Sequence, residues 1–484
     1  ANYADYLIGS EETEPGIGWY YTDWLTKLSD NTSMKTLDIG KQICDDFVTK
    51  CGSRCPGQKT TLALVDLAEL QNTVPDKLNA FAKSISTKIK DKEYSTVSQA
   101  RNQCRTFATS QRIDQVDLVD LADKMNTEEG KALSEAVKGA VKYNRTSSNM
   151  TNSYGLSIFF PYDRISSVDT VVDTYSKIGM DEEYAKCIQE FASVEAGGQA
   201  YSSQSGSSQN LLNLLGGSSQ SSSNSDSEAM MELLNLFLGG GNYGSVNGLN
   251  SSNTSFLSGR SITNEEIADF VDKHHIDDSQ LTWTEEDGTY KLSLTEEQWE
   301  MVQTVDQSLY YDDGNGYVDL GLDNNYDFDD DGNLIAVTDR TWLSINGRVV
   351  AYYHTDTQED GDNYTITGYV PAFLNGTRVN LILVFTNEDP DGRIAGATTD
   401  YIDGETETVA KSLTQLEEGD TLEFVCDYYT YDGEYENSYL LDEPLTVTKD
   451  MKIRNIDVGK GKVKIVYRFT DTYNQTQYSE AIMK

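Results

Sequence analysis

Short apolar runs alternate with stretches of helical periodicity over residues 1–196. Strands are predicted at residues 6–9, 62–65 and 156–160, because each apolar run is short and is bounded by polar or turn residues. A helix is predicted to begin at Pro75, since proline suits a first helical turn and apolar side chains follow at helical spacing. A second helix is predicted over residues 116–125. Strands separated by helices predict a layered α/β domain with a mostly parallel sheet.

Residues 197–260 differ in composition, with Ser, Gly, Asn and Gln dominating. Such a stretch buries too little apolar surface to offset the entropy of ordering, so we predict a linker. An apolar island at residues 230–238 interrupts it. This island is interpreted either as a short helix that docks on a neighbouring domain or as a transiently helical part of the linker.

From residue 261 onward the pattern becomes one of strands and turns. Helix starts are predicted at Asn264 and at Thr295, where Gln298 gives the spacing of a capping box. Beyond them, Asn346-Gly347 lies between two apolar runs and predicts a tight hairpin. Regularly spaced runs and turns over residues 261–484 predict an all-β, sandwich-like domain.

Charge narrows the range of functions. The 484 residues carry a net charge of -41, and residues 261–484 hold 47 acidic against 15 basic side chains. This balance excludes nucleic acid as a partner, because phosphate binding requires clustered Lys and Arg. No run of about 18 apolar residues occurs, so no transmembrane segment is predicted.

Cysteine and histidine, the usual partners in nucleophilic catalysis, do not combine into a predicted site. Cys51 and Cys55 are the only close cysteine pair, and a local disulfide and free thiols both remain open. The three histidines all lie after residue 261: His274 and His275 are expected on a solvated helix, and His354 is expected to be an ordinary sheet residue. No catalytic residue is assigned within this chain.

An acidic stretch resembles the start of a calcium loop. Asp327, Asp329 and Asp331 occupy alternate positions before Gly332, as oxygen ligands do at positions 1, 3 and 5 of such loops. The twelfth position is Thr338 instead of Glu. Two interpretations remain: an acidic turn, and a Ca²⁺ site formed by these three aspartates.

Three blocks in the first 196 residues resemble clostripain-family cysteine peptidases. Residues 4–19 are similar to the segment that follows the catalytic cysteine of the family, and residues 114–121 and 155–161 are similar to later blocks in the same order. The strand-rich part is similar to C-terminal regions attached to some members, notably at residues 331–334 and 370–376. The resemblance implies a caspase-like α/β sandwich, of which residues 1–196 are the later part.

The resemblance also implies an activity and a location. Family members are secreted by bacteria, activated by self-cleavage, dependent on calcium, and cleave after basic residues, especially Arg. Their catalytic His and Cys are expected upstream of Ala1. Glu11, Glu12 and Glu14 follow the first strand and are candidates for holding a cationic substrate side chain; helix capping or simple solvation is the other interpretation.

The sequence is therefore interpreted as a portion of a clostripain-like cysteine endopeptidase, with a peptidase part (1–196), a linker (197–260) and an acidic β-rich domain (261–484). The expected partners are a peptide or protein substrate and the missing N-terminal part of the same peptidase. Calcium is the one expected cofactor. The alternative is a non-catalytic secreted surface or adhesion module whose β domain binds a ligand.

Overall fold

A computed structural model describes residues 4–55, 57–205, 246, 248–361, 363–399, 413–431 and 433–484. Residues 4–205 form a region that we call helix-rich, and residues 261–484 form a region that we call strand-rich. The helices of the described residues are α1 (Tyr21–Asp30), α2 (Thr36–Arg54), α3 (Leu67–Lys90), α4 (Tyr94–Gln103), α5 (Leu118–Lys124), α6 (Glu128–Ala140), α7 (Val168–Lys177), α8 (Glu182–Ser205), α9 (Asn264–Lys273) and α10 (Glu296–Trp299).

The helix-rich region contains two small sheets. One has the order β1 (Tyr6–Gly9), β2 (Thr61–Asp66), β5 (Val141–Thr146), and the other has the order β3 (Thr106–Phe107), β4 (Gln115–Asp117), β6 (Ser157–Phe159). All strand pairs in both sheets are antiparallel. The three predicted strands are confirmed in place, but the prediction of a mostly parallel sheet is wrong for the described residues.

Helix α3 begins eight residues before the predicted start. It starts at Leu67 because Asp66, at the end of β2, accepts a hydrogen bond from the Glu69 backbone amide and caps the helix. Pro75 therefore lies inside the helix and not in its first turn. The helix predicted over residues 116–125 is also shorter, since β4 occupies its start and Asp117 caps α5.

The strand-rich region is dominated by one sheet of eleven strands. Its main path is β18-β17-β16-β15-β10-β9-β22-β23, and β19, β20 and β24 join from the side. The strands are β7 (Thr284–Glu286), β8 (Thr289–Leu292), β9 (Val302–Asp312), β10 (Tyr317–Asp323), β11 (Tyr326–Phe328), β12 (Leu334–Ala336), β13 (Thr341–Ile345), β14 (Arg348–Val349), β15 (Tyr352–Asp360), β16 (Asn363–Leu374), β17 (Thr377–Thr386), β18 (Asp389–Thr399), β19 (Thr421–Tyr429), β20 (Tyr435–Thr446), β21 (Ile453–Asp457), β22 (Lys462–Asp471), β23 (Thr476–Tyr478) and β24 (Ile482–Met483).

Four strands of this sheet pair in a closed ring. β10 pairs with β15, β15 with β16, β16 with β19, and β19 again with β10. The predicted hairpin at Asn346-Gly347 is confirmed: both residues have positive φ, as a type I′ turn requires, and β13 pairs antiparallel with β14. The capping box of Thr295 and Gln298 is also confirmed, at the start of α10.

The two regions share one apolar core. The turn that follows β22 inserts Tyr473 into the helix-rich region, where its ring stacks on Tyr94 with 5.6 Å between centroids. Gly198 of α8 also packs against the Tyr473 ring, and a Cβ added there would lie 2.1 Å from it. The Tyr473 hydroxyl donates to the His274 carbonyl oxygen at 2.7 Å. Tyr473 and Tyr94 are both fully buried, so this turn is an integral part of the core.

The predicted linker falls only partly within the described residues. Helix α8 continues to Ser205, and Phe256 and Leu257 are buried in the shared core. The apolar island at residues 230–238 lies outside the described residues. None of the described helices combines the length and the apolar character needed to cross a membrane.

Candidate functional site

The loop after β1 is fixed at its base by one hydroxyl. Thr61 Oγ1, on the neighbouring strand β2, accepts hydrogen bonds from the backbone amides of Glu11 and Glu12 at 3.0 and 3.1 Å. Ser10 Oγ lies 3.0 Å from the same oxygen and donates to the Glu12 carbonyl. The loop therefore leaves the sheet in one defined direction.

The Glu12 side chain turns inward and is buried. Its carboxylate accepts from the backbone amide and the hydroxyl of Thr13 at 2.7 and 2.8 Å, and from the Ala108 amide at 3.2 Å. Three donors already satisfy this group, so Glu12 ties the loop to the segment after β3. Glu12 is thus placed as an anchor of the loop.

Glu11 forms a buried pair of carboxyl groups with Asp117. Glu11 Oε2 accepts from the Gly155 amide at 3.0 Å, while Asp117 accepts from the amides of Tyr154 and Asp120 at 2.6 and 2.8 Å. Burial, followed by the neighbouring Asp117 charge, raises the pKa of Glu11 well above its usual value, and burial raises the pKa of Asp117 to about 6. The pair is arranged to hold a shared proton near neutral pH.

Glu14 is the exposed member of the three predicted acids. Its Oε2 accepts from the Trp19 indole nitrogen at 2.9 Å, which fixes the side chain at the surface of the same loop. The structure therefore brings Glu11, Glu12 and Glu14 into one loop but turns them in different directions. The carboxylate of Glu14 is the one available to a molecule in solution.

Three aspartates spaced three residues apart organise the loops beside this site. Asp114 accepts from the backbone amides of Tyr162 and Arg164 and pairs with Arg101, and both charged side chains are buried. Asp117 holds the loop at Tyr154, as described above. Their regular spacing within the apolar stretch 114–121 was the available sequence signal, and it was not used to predict a role.

Asp120 completes this set. Its carboxylate accepts from the Arg105 amide and from Lys124, each at 2.6 Å. The Arg105 guanidinium, which is buried, donates to the Thr151 carbonyl at 2.8 Å and reaches Asp356 of the strand-rich region at 3.4 Å. The loops around the candidate site are thereby connected to the strand-rich region.

The cysteines of the described chain have the chemistry of structural thiols. All six are free and buried, and Cys51 and Cys55 lie on and just after α2 as separate thiols. Burial raises the pKa of Cys51 to about 11 and that of Cys44 to about 12, and it raises the pKa of Cys104, Cys187 and Cys426 as well. Thiols that stay protonated at neutral pH are poor nucleophiles.

His274 and His354 are engaged in packing and local hydrogen bonds, while the half-buried His275 packs its ring on Tyr201 with 4.7 Å between centroids. His274 ends α9, stacks on Phe270 and places Nδ1 2.8 Å from the Phe270 carbonyl oxygen, so it is half-buried and not on the expected solvated face. His354 lies in β15, with Nε2 2.8 Å from Thr357 Oγ1 and Nδ1 3.7 Å from Asp306. Within the described residues, no hydrogen bond joins a cysteine to a histidine.

The acidic stretch after β11 forms a compact turn. Asp329 Oδ1 accepts from the backbone amides of Asp331 and Asn333, and Oδ2 lies 3.0 Å from Lys291 Nζ. These bonds hold the pKa of Asp329 well below its usual value, with the Asn333 side chain as the largest cause. The Asp327 carboxylate accepts from the Phe328 amide. Among the described residues, no three or more His, Cys, Asp or Glu side chains are arranged to hold a metal ion, and the Ca²⁺ site stays a prediction.

A known protein family matches the chain. A family model described as the clostripain family matches residues 1–356, which is more than half of the chain. The match includes the loop after β1, the three aspartates and the chain as far as Asp356. No curated protein and no solved structure matches the chain.

Proposed function

Because the chain belongs to the clostripain family, which suggests a cysteine peptidase, we propose that it is part of an endopeptidase that cleaves after basic residues. The observation that supports this proposal most directly is the loop after β1. Hydrogen bonds to Thr61 tie its base to β2, and it carries one exposed carboxylate, that of Glu14, which accepts from the Trp19 indole.

In this proposal Glu14 contacts the cationic side chain of the substrate. A guanidinium or ammonium group would form a charge-assisted hydrogen bond with the free carboxylate oxygen. Glu11 and Glu12 act as positioning residues, because Glu11 is paired with Asp117 and accepts from the Gly155 amide, and Glu12 accepts from the Ala108 amide. The aspartates at 114, 117 and 120 support the same surface by fixing the loops around it.

The catalytic thiol and imidazole are proposed to come from another segment of the enzyme, which the family resemblance assigns upstream of Ala1. The raised pKa of five of the buried cysteines supports this assignment. We also propose that the enzyme acts after secretion and uses Ca²⁺, as the family resemblance implies. The acidic turn at Asp329 supports a calcium site only if Lys291 is displaced from it.

The proposal is tested by expressing the chain together with the residues encoded directly before Ala1. The combined protein is expected to hydrolyse peptides with Arg or Lys before the scissile bond, and the chain alone is expected to hydrolyse none. Glu14→Gln should raise KM for the Arg substrate by roughly tenfold to a hundredfold, the loss of one charged hydrogen bond. The matched control is Glu135→Gln, an exposed acid of α6.

Two results would contradict the proposal. Turnover by the chain alone that persists after all six cysteines are alkylated would show a different chemistry. A combined protein that carries a Cys and a His but cleaves no basic substrate would favour the non-catalytic surface module.

A further inference from the structure

A row of tyrosines covers one face of the strand-rich sheet. Directly opposed positions on neighbouring strands place Tyr310 against Asp319 and Lys464, Tyr317 against Tyr429, and Tyr429 against Tyr435. Cross-strand partners share a face of a sheet, so these side chains all lie on the same side of β22, β9, β10, β19 and β20. We call this set the tyrosine face.

The rings of the tyrosine face are held in fixed positions. Ring centroids are 6.4 Å apart for Tyr310 and Tyr429 and 5.9 Å apart for Tyr429 and Tyr435, both close to edge-to-face. Lys464 lies over the ring of Tyr317 at 5.0 Å, and the Tyr435 hydroxyl lies 3.1 Å from Ser438 Oγ. A ligand that stacks on these rings would lose little side-chain entropy.

Part of the tyrosine face is open to solvent. Tyr435 is 56% exposed, and the neighbouring Tyr431, whose hydroxyl donates to Asp312 at 2.8 Å, is 52% exposed. Large exposed rings grouped on one face mark a binding surface more often than chance placement does. Asp319 and Asp427 alternate with the rings along β10 and β19, so hydrogen-bonding groups lie between the stacking surfaces.

A pocket adjoins this face and is lined by residues of β15, β16, β17 and β19. Its volume is about 200 Å³, and Asp427 belongs to both the pocket and the tyrosine face. Tyr353 and Tyr369 stack in its wall, with centroids 5.1 Å apart and planes 18° apart. The main lining residues are Tyr353, Tyr369, Pro371, Arg378, Asn380 and Asp427.

We propose that the tyrosine face and its pocket bind a neutral polysaccharide, with one sugar unit in the pocket. Pyranose rings present C–H groups that stack on aromatic faces, and their vicinal hydroxyls bond to planar carboxylate, amide and guanidinium groups. The pocket offers all three through Asp427, Asn380 and Arg378. This ligand class has no net charge. It suits the pocket because the charges of Asp427 and Arg378, its one acid and one base, balance each other.

Charge argues against the other polymers. A net charge of -41 opposes an anionic polysaccharide or nucleic acid at long range. A basic or proline-rich peptide could use the tyrosines, but Arg378 would repel a cationic side chain in the pocket. A stacked and hydrogen-bonded neutral ligand is therefore favoured, and its binding should hardly depend on salt.

The full chain is tested by electrophoresis through native gels that contain soluble starch, mannan or β-glucan, followed by calorimetry with hexasaccharides. We expect retardation by at least one of these glycans, unchanged between low and high salt. Tyr435→Ala should weaken binding about tenfold. Tyr21→Ala removes a tyrosine that is also 56% exposed but lies in α1, and it should leave binding unchanged.

A second variant separates folding from binding. Asp427→Asn keeps the shape of the side chain in the pocket and should weaken binding while the melting temperature stays within a degree or two. Migration unaffected by all three glycans would overturn the proposal. Salt-sensitive binding of a basic, proline-rich peptide that is lost in Tyr435→Ala would overturn it as well, since the face would then be a peptide platform.

Discussion

Three aspartates of the helix-rich region have surroundings that differ from those of most described acids in the strand-rich region. In the helix-rich region, Asp114, Asp117 and Asp120 are buried and bind the backbone amides of neighbouring loops. In the strand-rich region, which holds most of the excess acid, most of the carboxylates that the structure describes face solvent, and Asp427 alternates with tyrosines along its strand. Among its described acids, the strand-rich region has one fully buried counterpart, Asp471, which accepts from the amides of Tyr473 and Gln475. A count of acids therefore says little until the partners of each are known.

The largest effect is expected for the buried pair of Asp114 and Arg101. Asp114→Ala leaves the Arg101 charge buried without compensation and should lower the free energy of unfolding by about 3–5 kcal/mol. Asp330→Ala, an exposed acid of the strand-rich region, should change it by no more than about 0.5 kcal/mol. Urea denaturation measures both, and equal effects would remove the contrast between the regions.

The shared core limits how separate the regions are. Gly198→Ala should push its new Cβ into the Tyr473 ring and cost about 1–3 kcal/mol. Gly52→Ala, in α2 with open space around it, should instead gain roughly 0.5–1 kcal/mol. Tryptophans occur in both regions, so fluorescence should show one transition that moves as a whole. Separate transitions, with only one of them shifted in Gly198→Ala, would show that the core is divided.

The Glu11–Asp117 pair makes stability depend on pH. Because the pKa of Asp117 in the folded protein is raised to about 6, the folded state keeps a proton that the unfolded state has released between pH 4 and 6. The contribution of Asp117 is thus present at low pH and is lost as the pH rises through about 6. Between pH 4.5 and 7.5, the free energy of unfolding should fall by about 2 kcal/mol less in Asp117→Asn than in the wild type.

The matched control for this pH effect is Glu135→Gln, which changes an exposed acid of the same region. It should leave the fall in unfolding free energy unchanged. Identical pH profiles for the wild type and Asp117→Asn would mean that the two carboxyl groups do not share a proton.

The smallest effect is expected for calcium at the acidic turn of the strand-rich region. Ca²⁺ at a tenfold excess over its dissociation constant would stabilise the chain by about 1.4 kcal/mol. Lys291→Gln should enlarge the shift in melting temperature, because it removes the cation that Asp329 already binds. Asp329→Ala should abolish the shift. If the melting temperature is the same with Ca²⁺ and with chelator, in both the wild type and Lys291→Gln, the stretch is an acidic turn and not a Ca²⁺ site.

Features that depend on neighbours in sequence were predictable. The three strands of the helix-rich region, the Asn346-Gly347 hairpin and the capping box at Thr295 were all located from local patterns, because their geometry is fixed within a few residues. The start of α3 was missed since Asp66 ends a strand and caps a helix at once. Strand direction was missed because periodicity does not report the direction of a partner.

Features that depend on distant partners were not predictable. Glu11 meets Asp117 more than a hundred residues along the chain, and only the fold shows that both are buried together. Glu12 and Glu14 look alike in sequence, yet Glu12 is buried and bonded to the Ala108 amide, whereas Glu14 is exposed beside Trp19. The Tyr473 insertion had no sequence signal, since an aromatic in a polar turn is common on surfaces.

The insertion of Tyr473 has a consequence for synthesis. The ring of Tyr94 is covered by a residue that lies 379 positions later in the chain. At about 5–20 residues per second, the ribosome delivers that residue on the order of tens of seconds after α4 has emerged. During this interval the nascent helices expose an uncovered aromatic cleft, and exposed apolar surface of this kind is what chaperones bind. The helix-rich region thus comes first in the sequence, but its core can be completed only after the strand-rich region has been synthesised.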